Sequence, residues 1–371
     1  MTRVLVLNCG SSSVRYKLFD GDKALAKGHI ERIGEDGGEA PDHDAALRGL
    51  MDRLDLSDLA AVGHRVVHGG ERFTSATVIT DEVVAAVEEL IPLAPLHNPG
   101  ALTGVRVARK LLPDVPQVAV FDTAFHSTIP PEGVLWAVDR ELSRRWGLRR
   151  YGFHGTSHAY VSRETARILG RPAAETNVIT LHLGNGASAA AVRGGRCEAT
   201  SMGMTPLSGL VMGTRSGDID PSLVFHLHRV AGLPLDQIED SLTRHGGLAG
   251  LAGANDMREV LQRRESGDAD AELAFDVYIR RLKEYVGSYL AVLGRVDAIT
   301  FTAGVGENAP VVRAAALAGL EPLGITVDPT RNEAGELVIS PAGAAVAVCV
   351  VPTEEELEIA NESRRALALN P

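Results

Sequence analysis

Two arginines sit in settings that invite chemistry. Arg65 lies in Gly63-His-Arg-Val-Val-His-Gly-Gly-Glu71, which alternates as a strand does and ends in a Gly-Gly turn. On such a strand His64 and His68 share one face and Arg65 and Val67 the other. A guanidinium beside an apolar valine suits a small carboxylate with a short alkyl tail, because the planar fork grips both oxygens. The two histidines lack a third ligand spaced to complete a metal site. Arg215 stands between Gly213 and Gly217 in the irregular, small-residue segment 206–221. One arginine held by glycine turns reads as a phosphate contact more readily than as surface decoration.

Glycine-rich turns supply the second kind of anion chemistry. The apolar run Val4–Leu7 enters Asn8-Cys-Gly-Ser-Ser-Ser13, and a strand pattern then resumes through Arg15 to Leu18. A Walker A loop would carry a Lys and continue as a helix; here backbone N–H and Ser hydroxyls would line a hairpin instead. Taken alone the segment is equally an ordinary Ser/Gly hairpin. A comparable unit starts at Asn177, turns through His182-Leu-Gly-Asn-Gly186 and leaves as the small-residue strand Ala187–Val192. A third glycine turn, Ala303-Gly-Val-Gly-Glu-Asn308, follows Ala298–Thr302. Two strand–turn–strand units in the two halves predict a duplicated fold holding nucleotide between the copies.

Other polar residues keep two readings each. His97, in Leu96-His-Asn-Pro99, either braces a rigid turn or touches substrate. Asp122 ends the apolar strand Val118–Phe121, where α/β proteins place catalytic carboxylates and also helix caps. In Tyr151-Gly-Phe-His-Gly-Thr-Ser-His158 the two histidines lack the intervening Glu of a zinc helix. His154 either faces a transferring anion or fills a turn, and Thr156 or Ser157 is the expected N-cap. Cys9 either faces ligand in its turn or packs under the strand before it.

The elements that must position these residues read as α/β, with strand-like runs and helical stretches alternating throughout. Ala60–Val67 and Ala344–Val351 are expected strands. Helices are expected over Asp81–Leu93, capped by Asp81, over Gly100–Leu112, and over Ala271–Leu293. The last aligns Ala274, Tyr278, Leu282, Val286, Tyr289 and Leu293 on one face. Gly34–Asp44 reads as a surface loop. At 371 residues and 45% hydrophobic content the chain should form two domains with separate cores. A net charge of −11 argues against nucleic acid or an anionic membrane as partner. Three scattered cysteines, no membrane-length apolar run and no signal-like start predict a cytoplasmic protein with reduced thiols.

Together the motifs resemble those of the acetate kinase family, within the acetate and sugar kinase, Hsp70 and actin superfamily. The likeness rests on Asn8–Ser13, His64–Glu71, Tyr151–His158, His182–Gly186 and Phe301–Asn308, and runs from Val4 to Ala360. It implies reversible transfer of the ATP γ-phosphoryl group to acetate with Mg2+ or Mn2+, and a homodimer built on the C-terminal domains. It implies two actin-like, ribonuclease H-like domains with a nucleotide cleft between them, 1–122 with 357–371 and 123–356. Arg65 and Arg215 would flank the phosphoryl group and the acetate carboxylate. His154 would donate to phosphoryl oxygens, and Asp122 would orient the reactants or the metal shell. Asn8, Ser11 and Ser13 fall where the family senses phosphate and magnesium, and Glu355 matches its metal-associated carboxylate. Val67, Leu96, Phe153 and Pro206 match the pocket for the acetate methyl. Ser13, Arg15, His182, Leu183, Gly184, Asn185, Gly186, Asp256, Met257, Arg258, Gly304, Val305, Gly306, Glu307 and Asn308 match the nucleotide side. The chain departs from the family at Arg15, usually Lys, at Cys9, usually Ala, and at Glu354, often Asn.

The implied chemistry agrees with the residue types. Acetate is already a nucleophile, so no strong general base is required. The difficulty is to bring two anions together and neutralise a loose, in-line transition state, and cations serve that purpose. Direct transfer is therefore favoured over a covalent phospho-enzyme. The rivals are a propionate or butyrate kinase with the same chemistry, and an actin- or Hsp70-like ATPase. The second would need neither paired arginines nor an acyl pocket.

Overall fold

The computed structural model describes residues 3–368. The chain divides into two compact units. One holds the chain up to Ser127, Phe153–Ser157 and the segment from Glu354 onward; the other holds Thr128–Gly152 and His158–Thr353.

The first unit is built on a 6-stranded sheet of β1 (Arg3–Cys9), β2 (Val14–Asp20), β3 (Lys23–Ile30), β4 (Leu59–Val66), β5 (Thr77–Val78) and β6 (Gln117–Phe121). Its order is β3-β2-β1-β4-β6-β5. β1, β2 and β3 form an antiparallel meander, and β4 and β6 continue parallel to β1. Alternation along β1 sorts its residues between two cores. Leu5 and Leu7 pack with Ala108 of the helix Asn98–Leu111, while Val4 and Val6 pack with Ile359 and Ala360 of the helix Glu355–Ala366. A sheet covered on both faces explains why β1 and β6 read as continuous apolar runs.

The second unit has a 5-stranded sheet of β7 (Asn177–Leu183), β8 (Ala187–Arg193), β9 (Arg196–Thr200), β10 (Ala298–Thr302) and β11 (Ala347–Val350), in the order β11-β10-β7-β8-β9. Again a meander of three is followed by two strands parallel to its first member. The expected duplication is therefore present in five strands of each sheet; β5, antiparallel to β6, has no counterpart in the second. The helix Ala269–Leu293 packs on β7, β8 and β9, and all six residues expected on its inner face are buried.

Several local expectations are corrected. Thr80, not Asp81, caps the helix Asp81–Glu89, its hydroxyl accepting from Val83 N. The helix stops before Pro92, and Ile91–Leu93 forms a separate 3-10 turn. Thr156 and Ser157 lie inside the helix Gly155–Ile168, because His154 turns the chain at φ 56° and lets the helix start at once. Ala303–Asn308 is a short helix, not a turn, entered through Ala303 at φ 64°. β4 ends at Val66, so His68 belongs to the following turn and shares no strand face with His64.

Candidate active site

In the first unit the strand ends bring opposite charges together. Arg65 lies near the end of β4 and Asp122 just past the end of parallel β6, whose last residue pairs with Val66. Asp122 N also donates to Val66 O at 3.0 Å. Arg65 grips Asp122 with two parallel bonds, Nε to Oδ1 at 3.0 Å and Nη2 to Oδ2 at 2.7 Å. Asp122 is 1% exposed and the Arg65 side chain 20%, so the carboxylate is covered and the cation keeps one open side. Burial opposes the Arg65 charge, but Asp122, Glu355 and Glu356 outweigh it and raise the guanidinium above its ordinary value.

The turn that carries His154 is anchored to this pair. Gly155 N donates to Asp122 O at 3.0 Å, and His126 Nε2 meets Phe153 O at 2.9 Å. A Cβ on Gly155 would stand 2.2 Å from Asp122 O, so only glycine allows this approach. Phe153 is buried with its ring against His68, centroids 5.5 Å apart. Val67 is half-buried next to His68, and Leu96 stands 65% exposed on the turn before the helix Asn98–Leu111. His97 occupies the cap position of that helix, exposed and making no side-chain cap bond.

The Asn8–Ser13 hairpin forms as expected, with Gly10 N donating to Ser13 O at 2.8 Å. Asn8 and Arg15 pair across β1 and β2, and both border a cavity of about 540 Å³ with Gly10, Ser12 and Ser13. Ser11 is exposed. The hairpin rests on a helix that approaches closely, since a Cβ on Gly100 would meet Gly10 O at 2.7 Å. Among the glutamates that follow the second sheet, Glu354 is held by Lys17 at 2.5 Å. Glu355 is half-buried, and burial raises its carboxyl although Arg65 pulls it down.

In the second unit three separated stretches line one cavity of about 870 Å³. Gly184 and Asn185 come from the β7–β8 turn, Asp256, Met257 and Arg258 from the start of the helix Met257–Glu265, and Gly304, Val305 and Asn308 from the helix after β10. Asp256 caps its helix and is gripped by the exposed Arg258, which pulls its carboxyl down to about 2. Gly213 seals the turn: its N donates to Asn185 O at 2.9 Å, and a Cβ would collide with the Asn185 side chain. Arg215 is half-buried and donates through Nη1 to Pro206 O at 2.7 Å. Among the described residues it meets no carboxylate, and burial lowers its affinity for the proton. Pro206 thus contributes a carbonyl that aims the arginine.

The family model described as the acetokinase family matches residues 3–361. The chain belongs to the acetokinase family. The acetate kinase of Streptomyces coelicolor is 57% identical over 98% of this chain and 96% of its own. That of Leifsonia xyli is 54% identical over 99% and 100%. Among solved structures, Porphyromonas gingivalis acetate kinase superimposes with a TM-score of 0.94 at 42% identity, over 99% of this chain and 100% of that one. A propionate kinase from Francisella tularensis gives 0.92 at 40% identity, over 98% and 99%. The fold is that of acetokinases, and the chain is a phosphotransferase of that family.

Not every family-matched position offers its side chain to a ligand. Leu183 is core, and Gly306 is buried beneath its helix. His182 is buried near the His158 ring. Glu307 turns its carboxylate back to accept from Ala303 N at 2.8 Å and Thr353 N at 3.2 Å, bracing the helix start. Cys9 is 6% exposed and its thiol is pushed up to about 12 by burial. Its sulfur occupies the space that Gly104 leaves open, so the reading of Cys9 as a ligand-facing thiol is corrected to core packing. Sequence reasoning missed Asn98, which is fully buried and exchanges hydrogen bonds with His68 N and His68 O at 3.2 and 3.1 Å. It also missed Thr123, whose hydroxyl accepts from Gly69 N at 3.0 Å. Asn before Pro99 was a visible cap signal, but its partner is thirty residues away in the chain.

Proposed function

We propose that this acetokinase transfers the γ-phosphoryl group of ATP reversibly to acetate, giving acetyl phosphate and ADP by direct in-line transfer. The observation that carries the reading is Arg65, gripped by buried Asp122 and with its side chain 20% exposed, two residues before half-buried Val67. Asp122 orients the guanidinium, and its open side takes the acetate carboxylate. Val67, Phe153, Leu96 and Pro206 bound the methyl group. Arg215, held by the Pro206 carbonyl, neutralises charge on the phosphoryl group, and His154 donates to its oxygens. Catalysis is positioning and neutralisation, since acetate needs no base.

The nucleotide is assigned to the cavity of about 870 Å³, with its phosphates toward the glycine turns, where backbone N–H groups suit anions. Ser13 and Arg15, which border the hairpin cavity of the first unit, are proposed as phosphate contacts there. Mg2+ is proposed as the metal, with the Asn8 amide oxygen and Glu355 carboxylate as protein ligands. These hard oxygen donors fit an ion that keeps waters and substrate phosphates around few carboxylates. Bound there it would neutralise charge on the phosphates; the residues themselves orient and shield the reactants.

None of the described helices is long and apolar enough to cross a membrane. A cytoplasmic homodimer is proposed, supported by three buried cysteines and by exposed Phe225 and Val230 on the second unit. Trapping the acyl phosphate with hydroxylamine across C2, C3 and C4 acids tests the reading. Turnover highest with acetate is expected. Highest turnover with propionate would make the chain a propionate kinase, and ATP hydrolysis without acyl phosphate would remove the acceptor site altogether.

A further inference from the structure

We propose that Asn98 and Thr123 are positioning residues that set how sharply the enzyme prefers acetate to longer acids, an inference resting on the assignment of Val67 and Phe153 to the methyl pocket above. β4 ends at Val66, whose carbonyl still accepts from Asp122 N at 3.0 Å. Beyond that point the chain leaves the sheet, and side chains take over from strand pairing. His68 N donates to Asn98 Oδ1 at 3.2 Å, and His68 O accepts from Asn98 Nδ2 at 3.1 Å. Gly69 N donates to Thr123 Oγ1 at 3.0 Å. The first bond holds the peptide that joins Val67 to His68, and the other two hold the peptide that follows. Asn98 and His68 are fully buried and Thr123 is 3% exposed, so water does not compete for these bonds.

Both proposed wall residues take their place from His68. Val67 is bonded to it directly, through the peptide that Asn98 holds. Phe153 meets the His68 ring edge-on, with centroids 5.5 Å apart and planes at 66°. The ring itself is oriented, because Gly70 N donates to His68 Nδ1 at 3.0 Å. The turn also lies close against the sheet, since a Cβ on Gly69 would stand 2.9 Å from the Phe121 ring. Rejecting one extra methylene is worth roughly 10–200-fold, and only where the pocket wall does not yield to it. A turn tethered only at its ends could shift by the fraction of an ångström that admits a longer acid. Asn98 and Thr123 remove that freedom without touching the substrate.

The test measures kcat/KM for acetate and for propionate in the full-length enzyme and in Asn98→Ala, Thr123→Val and Val67→Ala, with Tm alongside. The acetate-to-propionate ratio is taken within one preparation, so loss of folded enzyme cancels and a merely structural role leaves it unmoved. Asn98→Ala should lower the ratio by about fivefold and Thr123→Val by about threefold, in proportion to the backbone bonds each removes, and mainly through KM for propionate. Thr123→Val keeps the shape of the side chain and carries the test if Asn98→Ala does not fold. Val67→Ala tests the pocket assignment separately and should also lower the ratio. An unchanged ratio there would defeat the assignment and this inference together. A shifted ratio in Val67→Ala, with an unchanged one in either folded variant of Asn98 or Thr123, would overturn this inference alone.

Discussion

At the end of β4 the first unit carries Arg65, whereas the matching strand of the second unit, β10, runs into Ala303 and Gly304. The neighbouring strand ends differ in the same sense: β6 delivers buried Asp122, and β11 runs into Val351 and Pro352. Five strands follow a common plan in both units, and these contrasting residues lie at strand ends and turns. In the function proposed above, the first unit meets its anion with Arg65, and the second with Arg215 and glycine-rich turns that a ligand can approach closely. A sheet tolerates this because its core depends on strand interiors, where the buried polar side chains Thr180, Ser188 and Thr300 of the second sheet are hydrogen-bonded.

The contrast predicts different penalties for removing charge from the two units. Arg215→Ala should lower turnover by about 10³-fold or more, as loss of a transition-state arginine does, with little change in Tm. Among the described residues its side chain bonds only to the neutral Pro206 carbonyl, so folding depends on it weakly. Asp122→Ala should abolish activity and also destabilise the protein by about 3–5 kcal/mol, because it leaves the Arg65 charge partly buried and unpaired. Near-native turnover in Arg215→Leu would break the comparison on the side of the second unit. An unchanged denaturation midpoint in Asp122→Ala would break it on the side of the first.

Acid should expose the first unit as well. Burial lowers His64 to about 4, against a smaller upward pull from its bond to Gln117. A histidine depressed in the folded state favours folding above its unfolded value near 6.5, and that contribution is lost as pH falls toward 4. It amounts to about 3 kcal/mol at most. Urea midpoints across this window should fall steeply, and His64→Phe should flatten that limb; an unchanged slope would assign the acid sensitivity elsewhere.

A smaller effect sharpens the acyl side. Val67→Ala should lower KM for propionate relative to acetate by several-fold, within the roughly 1–3 kcal/mol that a methylene commands. An unchanged preference ratio would take Val67 out of the pocket wall. The smallest effect concerns Cys9, whose thiol is buried with its acidity suppressed. Thiol reagents should leave the folded enzyme active, with no added protection by ATP and magnesium. Inactivation of the wild type that Cys9→Ala escapes would return the residue to the ligand side of its turn.

The sequence by itself carried the α/β class, the duplicated strand–turn–strand units and the inner face of Ala269–Leu293. Each of these is written in local periodicity and glycine placement, which act over a few residues. It also singled out Arg65, Asp122 and Arg215, and the family resemblance set all three around one reaction, without giving their bonding partners. Tertiary structure decided their partners. Arg65 meets Asp122 across fifty-seven positions because β4 and β6 are parallel neighbours, and no local pattern encodes that register. It decided that Cys9 is core, because the helix with Gly104 closes over the sulfur. It decided that Ala303–Asn308 coils into a helix whose Glu307 serves the backbone, because free N–H groups at a helix start draw the carboxylate inward. Tyr278 belonged to the inner face by periodicity alone; its place beside a cavity, with its hydroxyl unanswered, follows from how the second unit packs around it.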